Sequence, residues 1–420
     1  MYRKTVLANG LRILTEPMAH TRSVTICLLV GVGSRYETDA RAGISHFVEH
    51  LIFRGTARRP VSGDISGAIE GLGGVLNGGT DRESTVYWCI VPCQHFGVAL
   101  DVLSDVLLNS RFDAGDIEKE RQVIFEEINM GFDNPPSRVE QLIDSVLWPG
   151  HPLGRDIAGS RRSVSAIKKQ DMLNHVSRHY QPAATVVSIA GNIKHSQAAG
   201  AVEELLGGWP AGAGTPRFRP YREQTSDRLV VETREIEQSH VCLALPGLSR
   251  SHPDRFKLDL MNIVLGEGMS CRLFTEVRDK LGLAYAVSSY TEHLADSGAL
   301  TVYAGVEPRR LEEAIRAVQK ELRRMSRELI PEGELGKARE MAKGRMLLHM
   351  EDSHYVAGWM GGQELLEGEV LTVDQVSAIL DAVSPAEIKK LAGELITIDN
   401  MRLAVVGPTK RTASLEALLQ

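Results

Sequence analysis

The sequence predicts an α+β protein built from two homologous domains, and three observations carry that prediction. At 420 residues the chain exceeds one ordinary hydrophobic core and suits two domains of about 200 residues each. A Pro/Gly/Arg-rich stretch, GGWPAGAGTPRFRPYREQ at 207–224, interrupts the patterned sequence near its middle. Across that stretch the chain repeats itself, with a period of about 215 residues. The predicted division is therefore a domain at 1–215, a linker at 216–226 and a second domain at 227–420.

The repeated elements mix strands and helices in both halves. In the first half SVTICLLVGVGSRYETDA, a strand, leads into a helix containing His46. In the second, SHVCLALPGLSRSHPDR leads into FKLDLMNIVLGEGMSCRLF. Further on, STVYWCIVPCQHFGVALDVLSDVL is echoed by GALTVYAGVEPRRLEEAIRAVQKEL, each a strand followed by an amphipathic helix. Strand and helix segments interleaved in this way within each half define the α+β class.

Composition removes several function classes. With 43% hydrophobic and 24% charged residues, and no apolar run of the ~18 residues needed to cross a bilayer, a membrane role has no support. A net charge of −6, without any Lys/Arg block interleaved with aromatics, argues against nucleic acid as a partner. The five cysteines (Cys27, Cys89, Cys93, Cys242, Cys271) are odd in number and scattered, which reads as reduced thiols rather than a disulfide framework. Cys89 and Cys93 stand in an alternating strand, TVYWCIVPC, with no second pair to make a metal site, so they are assigned to the core. The opening MYRKTVLANGLRILTE has neither an apolar h-region nor a small-residue cleavage site, and a cytoplasmic protein is expected.

The stretch GISHFVEHLIFRGT at 43–56 is where chemistry enters. Ile44, Phe47, Val48, Leu51 and Ile52 surround the helix axis, the pattern of a buried helix, yet the same turn carries His46, Glu49 and His50. Burying two imidazoles and a carboxylate without partners costs several kcal/mol. The ungapped repeat places Lys257, Leu260 and Met261 at the matching positions, so the fold itself does not need the polar residues. Residues i and i+4 share a helix face, which lets His46 and His50 direct ring nitrogens at one metal ion. Glu49 is adjacent and suited to act as a general base on a water. A second pair at this spacing, His175 and His179 in HVSRH, has no acidic residue between and no acidic helix to match, and reads as structural.

Two histidines need a third ligand. DAGDIEKERQVIFEEINM at 113–130 reads as a helix with an acidic first turn and with Ile117, Val123, Ile124 and Ile128 on its apolar side. Glu120 and Glu127 lie two turns apart on one face; Glu126 points elsewhere, although helix phase alone does not decide between Glu126 and Glu127.

His46-x-x-Glu49-His50, with 76 residues between His50 and Glu127, resembles the inverted zinc motif of the pitrilysin/insulin-degrading family of metallopeptidases. The segments ERQVIFEEINM, HPLGRDIAGS and LGEGMSCRLFTEVRDKLGLAYAVSSY are also similar to that family, and the likeness extends over nearly the whole chain. It is greatest to the β-subunit type of the mitochondrial processing peptidase and its single-gene bacterial relatives. The resemblance implies two homologous domains, each a mostly antiparallel sheet packed with helices, forming half of a clamshell chamber. It implies one zinc ion per chain on His46, His50 and Glu127, with Glu49 as base and Glu120 holding a ligand imidazole. Here the family spacing chooses Glu127 over Glu126.

The resemblance reaches the substrate as well. LNGGTDRESTVYW at 76–88 is similar to the family's edge strand, onto which an extended peptide adds by main-chain hydrogen bonds. Asn77, Gly78, Gly79 and Thr80 are the implied substrate-binding residues, and Gly78 and Gly79 stand where larger residues are usual in the family. Arg278 and Tyr285 match an Arg/Tyr pair that brings hydrogen-bond donors to the oxyanion. LGEGMS at 265–270 resembles a glycine loop that helps to hold substrate. Longer family members carry four such domains in one chain and supply the Arg/Tyr pair from the fourth. A two-domain chain is then expected to work as a homodimer, or as a heterodimer with a related chain.

The expected activity is that of a zinc metalloendopeptidase acting on peptides or unfolded segments in an enclosed chamber. One rival is a non-catalytic peptide-binding or scaffolding subunit, whose mark is a degraded metal motif; the motif here is whole. Another is a structural zinc protein, which needs a fourth protein ligand and no base.

Overall fold

In the computed structural model, residues 2–212, 217–223, 227–410 and 412–420 are described. Of the predicted linker, residues 216 and 224–226 lie outside them. The chain forms two compact units, one of Met1–Asn129, Asp156–Arg219 and Leu347–Thr372, the other of Met130–Arg155, Pro220–Met346 and Val373–Gln420. These units differ from the linear division at 1–215 and 227–420 by two exchanged segments, and the reason is packing on the sheets.

The first unit is built on strands β1 (Arg3–Val6), β2 (Arg12–Pro17), β3 (Ser23–Val30), β4 (Val75–Thr80), β5 (Thr85–Pro92) and β6 (Thr185–Gly191). They form one sheet in the order β1-β2-β6-β3-β5-β4. Only β2 and β6 run parallel; the remaining pairs are antiparallel. β3 and β6, SVTICLLV and TVVSIAG, are buried almost end to end, because both faces of the sheet are covered. On one face lie the helices Ile44–Ile52 and Phe96–Asn109, packing Phe47, Leu51, Leu100 and Leu103 against Ile26, Leu28, Tyr87 and Cys89. The other face is covered by the helix Ser353–Leu366, where Val356, Ala357 and Met360 meet Leu14, Cys27, Leu29 and Val186. Gly361 is required there: a Cβ would come within 2.4 Å of Leu29 and 2.8 Å of Ser188.

The second unit repeats the plan with β7 (Leu229–Thr233), β8 (Ser239–Pro246), β9 (Ala284–His293), β10 (Gly298–Val306) and β11 (Arg402–Gly407), in the order β7-β11-β8-β10-β9. Its helices Arg255–Gly266 and Leu311–Arg327 line one face through Leu260, Met261, Ile315 and Leu322. The opposite face is covered by the helix Pro135–Leu147, whose Val139, Ile143 and Leu147 pack on Cys242, Ala244, Ala404 and Val406. Each sheet therefore borrows one covering helix from the other half of the sequence, and truncating a buried Leu, Ile or Met of these contacts to Ala costs about 2–5 kcal/mol.

Strands β3 and β8, and β5 and β10, occupy matching places in the two sheets, as the repeat predicts. At the positions matching the histidine motif, Leu260 and Met261 are fully buried and Lys257 pairs with Asp254 at 2.7 Å and Glu387 at 2.9 Å. The cysteines are free; Cys89 is buried in the core and Cys93 half-buried at the end of β5. Val123, assigned to the apolar side of its helix, is 41% exposed instead. Ile117, Ile124 and Phe125 fill the core there, and Ile128 packs at its margin. Arg278 sits on a π-helix, Phe274–Lys280, a geometry that sequence periodicity does not signal.

Candidate metal centre

The motif helix Ile44–Ile52 is held at its start by close backbone contact. Gly43 has φ +90°, and a Cβ on it would lie 2.4 Å from the Ala158 carbonyl oxygen; Gly159, at φ +76°, faces the Ala42 carbonyl in the same way at 2.3 Å. Only glycine fits either place, which accounts for the IAGS sequence opposite the helix start. The buried Glu37 carboxylate then accepts hydrogen bonds from Gly43 N and Ser45 N, both at 2.7 Å, and satisfies amides that the start of a helix leaves without partners. Phe47, Val48, Leu51 and Ile52 are buried in the core, so His46, Glu49 and His50 occupy the face that remains.

Opposite them runs the glutamate helix, Ala114–Asp133. It is anchored by Arg121, whose guanidinium donates to the Val164 and Ile167 carbonyls and lies 5.2 Å from the centre of the Phe47 ring. Two turns of this helix bring two carboxylates to the histidines. Buried Glu120 accepts from His50 Nδ1 at 3.1 Å through one oxygen and pairs with Arg54 through the other. Glu127 Oε2 stands 3.7 Å from His46 Nε2 and 3.5 Å from His50 Nε2, while the two Nε2 atoms are 3.2 Å apart. Glu126 is exposed on another side of the helix.

This donor set fits a tetrahedral cation. An ion about 2.0–2.1 Å from each donor requires donors about 3.3 Å from one another, and the three separations straddle that value. An ionised carboxylate only accepts, so His50 carries its proton on Nδ1 toward Glu120 and presents a lone pair at Nε2. That lone pair faces the other imidazole at hydrogen-bond distance. His46 Nδ1 is buried and has no hydrogen-bond partner in the structure. Ligand atoms of His46, Glu49 and His50 also lie within 4.8 Å of one another.

The electrostatics follow from burial and from the carboxylates. His46 is pushed down to about 4 by burial and by its neighbour His50. For His50 burial acts in the same direction, but the Glu120 hydrogen bond and the charges of Glu127, Glu49 and Glu120 outweigh it and the net shift is upward. Glu49 is raised, chiefly by burial and then by the Glu127 charge, against the opposing effects of His50 and the Thr80 hydroxyl. A carboxylate moved toward neutrality in this way is a better proton acceptor.

Comparison with known proteins identifies the family. Residues 12–161 match the family described as Insulinase (Peptidase family M16), and residues 166–342 match the Peptidase M16 inactive domain. An uncharacterized zinc protease of Bacillus subtilis, YmxG, is 35% identical over 97% of this chain and 99% of its own length. An uncharacterized zinc protease of Mycobacterium tuberculosis is 35% identical over all of this chain and 96% of its own. The chain belongs to peptidase family M16. A protease from Helicobacter pylori, 22% identical, has the same fold with a TM-score of 0.90, covering 97% of this chain and 99% of that one. Within the segment matched as the inactive domain, Lys257, Leu260 and Met261 stand at the positions that His46, Glu49 and His50 occupy in the Insulinase match.

The remaining predicted residues fall on strand edges and on the second unit. β4 is an edge strand, with Asn77 opposite Trp88, Gly78 opposite Tyr87, Gly79 opposite Val86 and Thr80 opposite Thr85. Gly78 faces the motif helix; a Cβ there would sit 3.0 Å from Glu49 Oε1 and 3.0 Å from Phe53. In the second unit Arg278 lies over the ring of Tyr285, 5.5 Å from its centre, and Tyr285 is 76% exposed although it stands in a strand. The 265–270 loop is fastened by Glu267, which accepts from Asn262 at 2.6 Å and pairs with Arg345; Met269 at its tip is 77% exposed. Sequence reasoning missed Arg54 and Glu37. Arg54 follows His50 by four residues, a helical spacing that could have marked it; Glu37 precedes the helix by seven and gives no local signal.

Proposed function

We propose that this M16 chain is a zinc-dependent endopeptidase that cleaves peptides or unfolded segments held as an extended strand along β4. The observation that carries the reading is the triangle of His46 Nε2, His50 Nε2 and Glu127 Oε2 with the Glu49 carboxylate beside it. A structural metal site has no use for that neighbouring base. Zinc, when bound, supplies Lewis acidity at the scissile carbonyl and makes water acidic enough to lose a proton near neutral pH.

The chain's own residues do the rest. Glu49 takes the proton of the attacking water and delivers it to the departing amine nitrogen, a transfer favoured by its raised affinity for protons. Glu120 and Arg54 fix the His50 ring so that Nε2 points inward. Arg278 and Tyr285 supply hydrogen-bond donors to the oxyanion. We place this pair in trans, from a second copy or a related chain, which makes the working form a dimer. No helix among the described residues is long and apolar enough to cross a membrane, and we assign the protein to the cytoplasm.

The test is zinc content together with cleavage of a quenched peptide, with and without a chelator, for the wild type and for Glu49→Gln. The reading requires about one zinc per chain, chelator-sensitive cleavage, and a Glu49→Gln protein that keeps its metal and loses turnover. Metal binding without cleavage of any extended peptide would assign the chain to a non-catalytic subunit.

A further inference from the structure

We propose that the outward face of the helix Leu311–Arg327, in the second unit, docks the protein on an anionic lipid surface. The inference goes beyond the peptidase reading and does not rest on it, since it concerns where the protein sits rather than what it cuts.

The helix, LEEAIRAVQKELRRMSR, buries Leu311, Ala314, Ile315, Val318, Leu322 and Met325 on its core side. At 100° per residue Arg316, Lys320, Arg323 and Arg327 fall within about 60° of one another on the opposite side, in a row about 16 Å long. All four are exposed. The acids around them are already engaged: Glu313 pairs with Arg310 at 3.0 Å, Glu321 and Glu328 with Arg324 at 2.9 and 3.3 Å, and Glu276 with Lys280 at 2.6 Å. Among the described residues none forms an ion pair or a side-chain hydrogen bond with any of the four.

The fold does not need these charges. The matching helix of the first unit, Phe96–Asn109, contains no Lys or Arg. With Phe96 set against Leu311, Asp101, Asp105 and Leu108 stand where this helix has Arg316, Lys320 and Arg323. A row of uncompensated cations in a chain of net charge −6 therefore points to an anionic partner.

The shape and the flanks of the row favour lipid. A straight ridge meets a plane along its whole length, whereas an acidic peptide takes most of its affinity from a groove or a strand edge. Exposed leucines stand at both ends. Leu329 lies two residues past the helix, and at its start Arg310 donates to the Leu281 carbonyl at 3.4 Å. Cations facing headgroups with apolar side chains beside them make an interfacial contact, and the lack of a spanning helix excludes crossing a bilayer but not resting on one.

The experiment measures cosedimentation of the full chain with phosphatidylcholine vesicles, with and without roughly one phosphatidylglycerol in three. The wild type should bind only the anionic vesicles and should be released as salt rises from about 0.05 to 0.5 M. Each cation contributes roughly fivefold, so replacing Arg316, Lys320, Arg323 and Arg327 together by Gln should lower the partition coefficient by on the order of 100-fold or more. Lys at the three Arg positions should keep binding within about threefold. A control replaces Arg22, Arg162, Lys169 and Lys194, exposed on the first unit, by Gln and gives the same net charge; it should bind as the wild type does. Thermal midpoints of all variants establish that they are folded. Absence of binding to anionic vesicles, or an equal loss in the control, overturns the proposal. Binding of polyglutamate that depends on the four cations, with vesicles ignored, overturns it in favour of an acidic protein partner. Peptide cleavage by the same variants reports on the peptidase reading separately.

Discussion

Gly78 and Glu49 meet across the gap between β4 and the motif helix, with room for a hydrogen atom and no more: a methyl group at 78 would lie 3.0 Å from Glu49 Oε1 and 3.3 Å from its Cγ. Neither Glu49, set in a buried helix, nor β4, paired along its length to β5, can retreat without cost. Gly78→Ala should therefore displace the Glu49 carboxylate and lower kcat by about tenfold or more, with zinc content unchanged. Steady-state kinetics and atomic absorption on the same preparations check it; equal turnover in the variant would show that Glu49 has slack.

Glu120 touches the proposed metal site only through His50, and its second oxygen is taken by Arg54. Glu120→Gln should weaken zinc affinity by about 10–100-fold, and Arg54→Ala by less, because a neutral or loose partner no longer fixes the imidazole. Competition with a calibrated chelator measures this directly. The ligand exchange Glu127→Gln should release zinc, whereas Glu126→Gln, on the exposed side, should retain it. The reverse result would place the third ligand one residue earlier.

His175 and His179 predict a dependence of stability on pH. Burial, reinforced by the neighbouring His179, pushes His175 down to about 3, against an ordinary value near 6.5. The unfolded chain therefore binds a proton that the folded chain refuses, and His175 reduces stability as pH falls from 6.5 toward 3, contributing nothing above 6.5. Between pH 7 and 5 the loss from this residue is roughly 2 kcal/mol. Urea unfolding of metal-free wild type and His175→Gln at both pH values tests it through the change between them. The slope should be shallower in the variant; parallel slopes would remove His175 from the acid response.

Much of this was legible in the sequence because it is local. The histidine motif declares itself through three polar residues in a buried helix, and the repeat through matching strand-helix pairs. What was not legible depends on contacts between distant segments. The helices Pro135–Leu147 and Ser353–Leu366 look like parts of their own halves, and nothing in their spacing shows that each covers the other half's sheet. Arg54 meets Glu120 only after both helices are packed, and Gly78 reads as a weak strand residue until Glu49 is placed beside it. The π-helix under Arg278 likewise has no pattern of its own, because i to i+5 bonding is selected by packing rather than by local propensity.

The last prediction concerns which chain completes the site. Tyr285 is 76% exposed on a strand, with Arg278 over its ring, so both are open to whatever docks there. If that pair serves the zinc site of a partner, two inactive proteins should rescue each other. Glu49→Gln and Tyr285→Phe are mixed in equal amounts under conditions that allow subunit exchange. A mixed dimer then has one site combining the intact Glu49 of one chain with the intact Tyr285 of the other, and one site with both lesions. Half of the dimers are mixed and each has one good site of two, so activity should return to roughly a quarter of the wild-type level. If the pair acts within its own chain, every site keeps one lesion and nothing returns. Native mass spectrometry of the same mixture confirms exchange, and exchanged dimers without activity would sink the shared site.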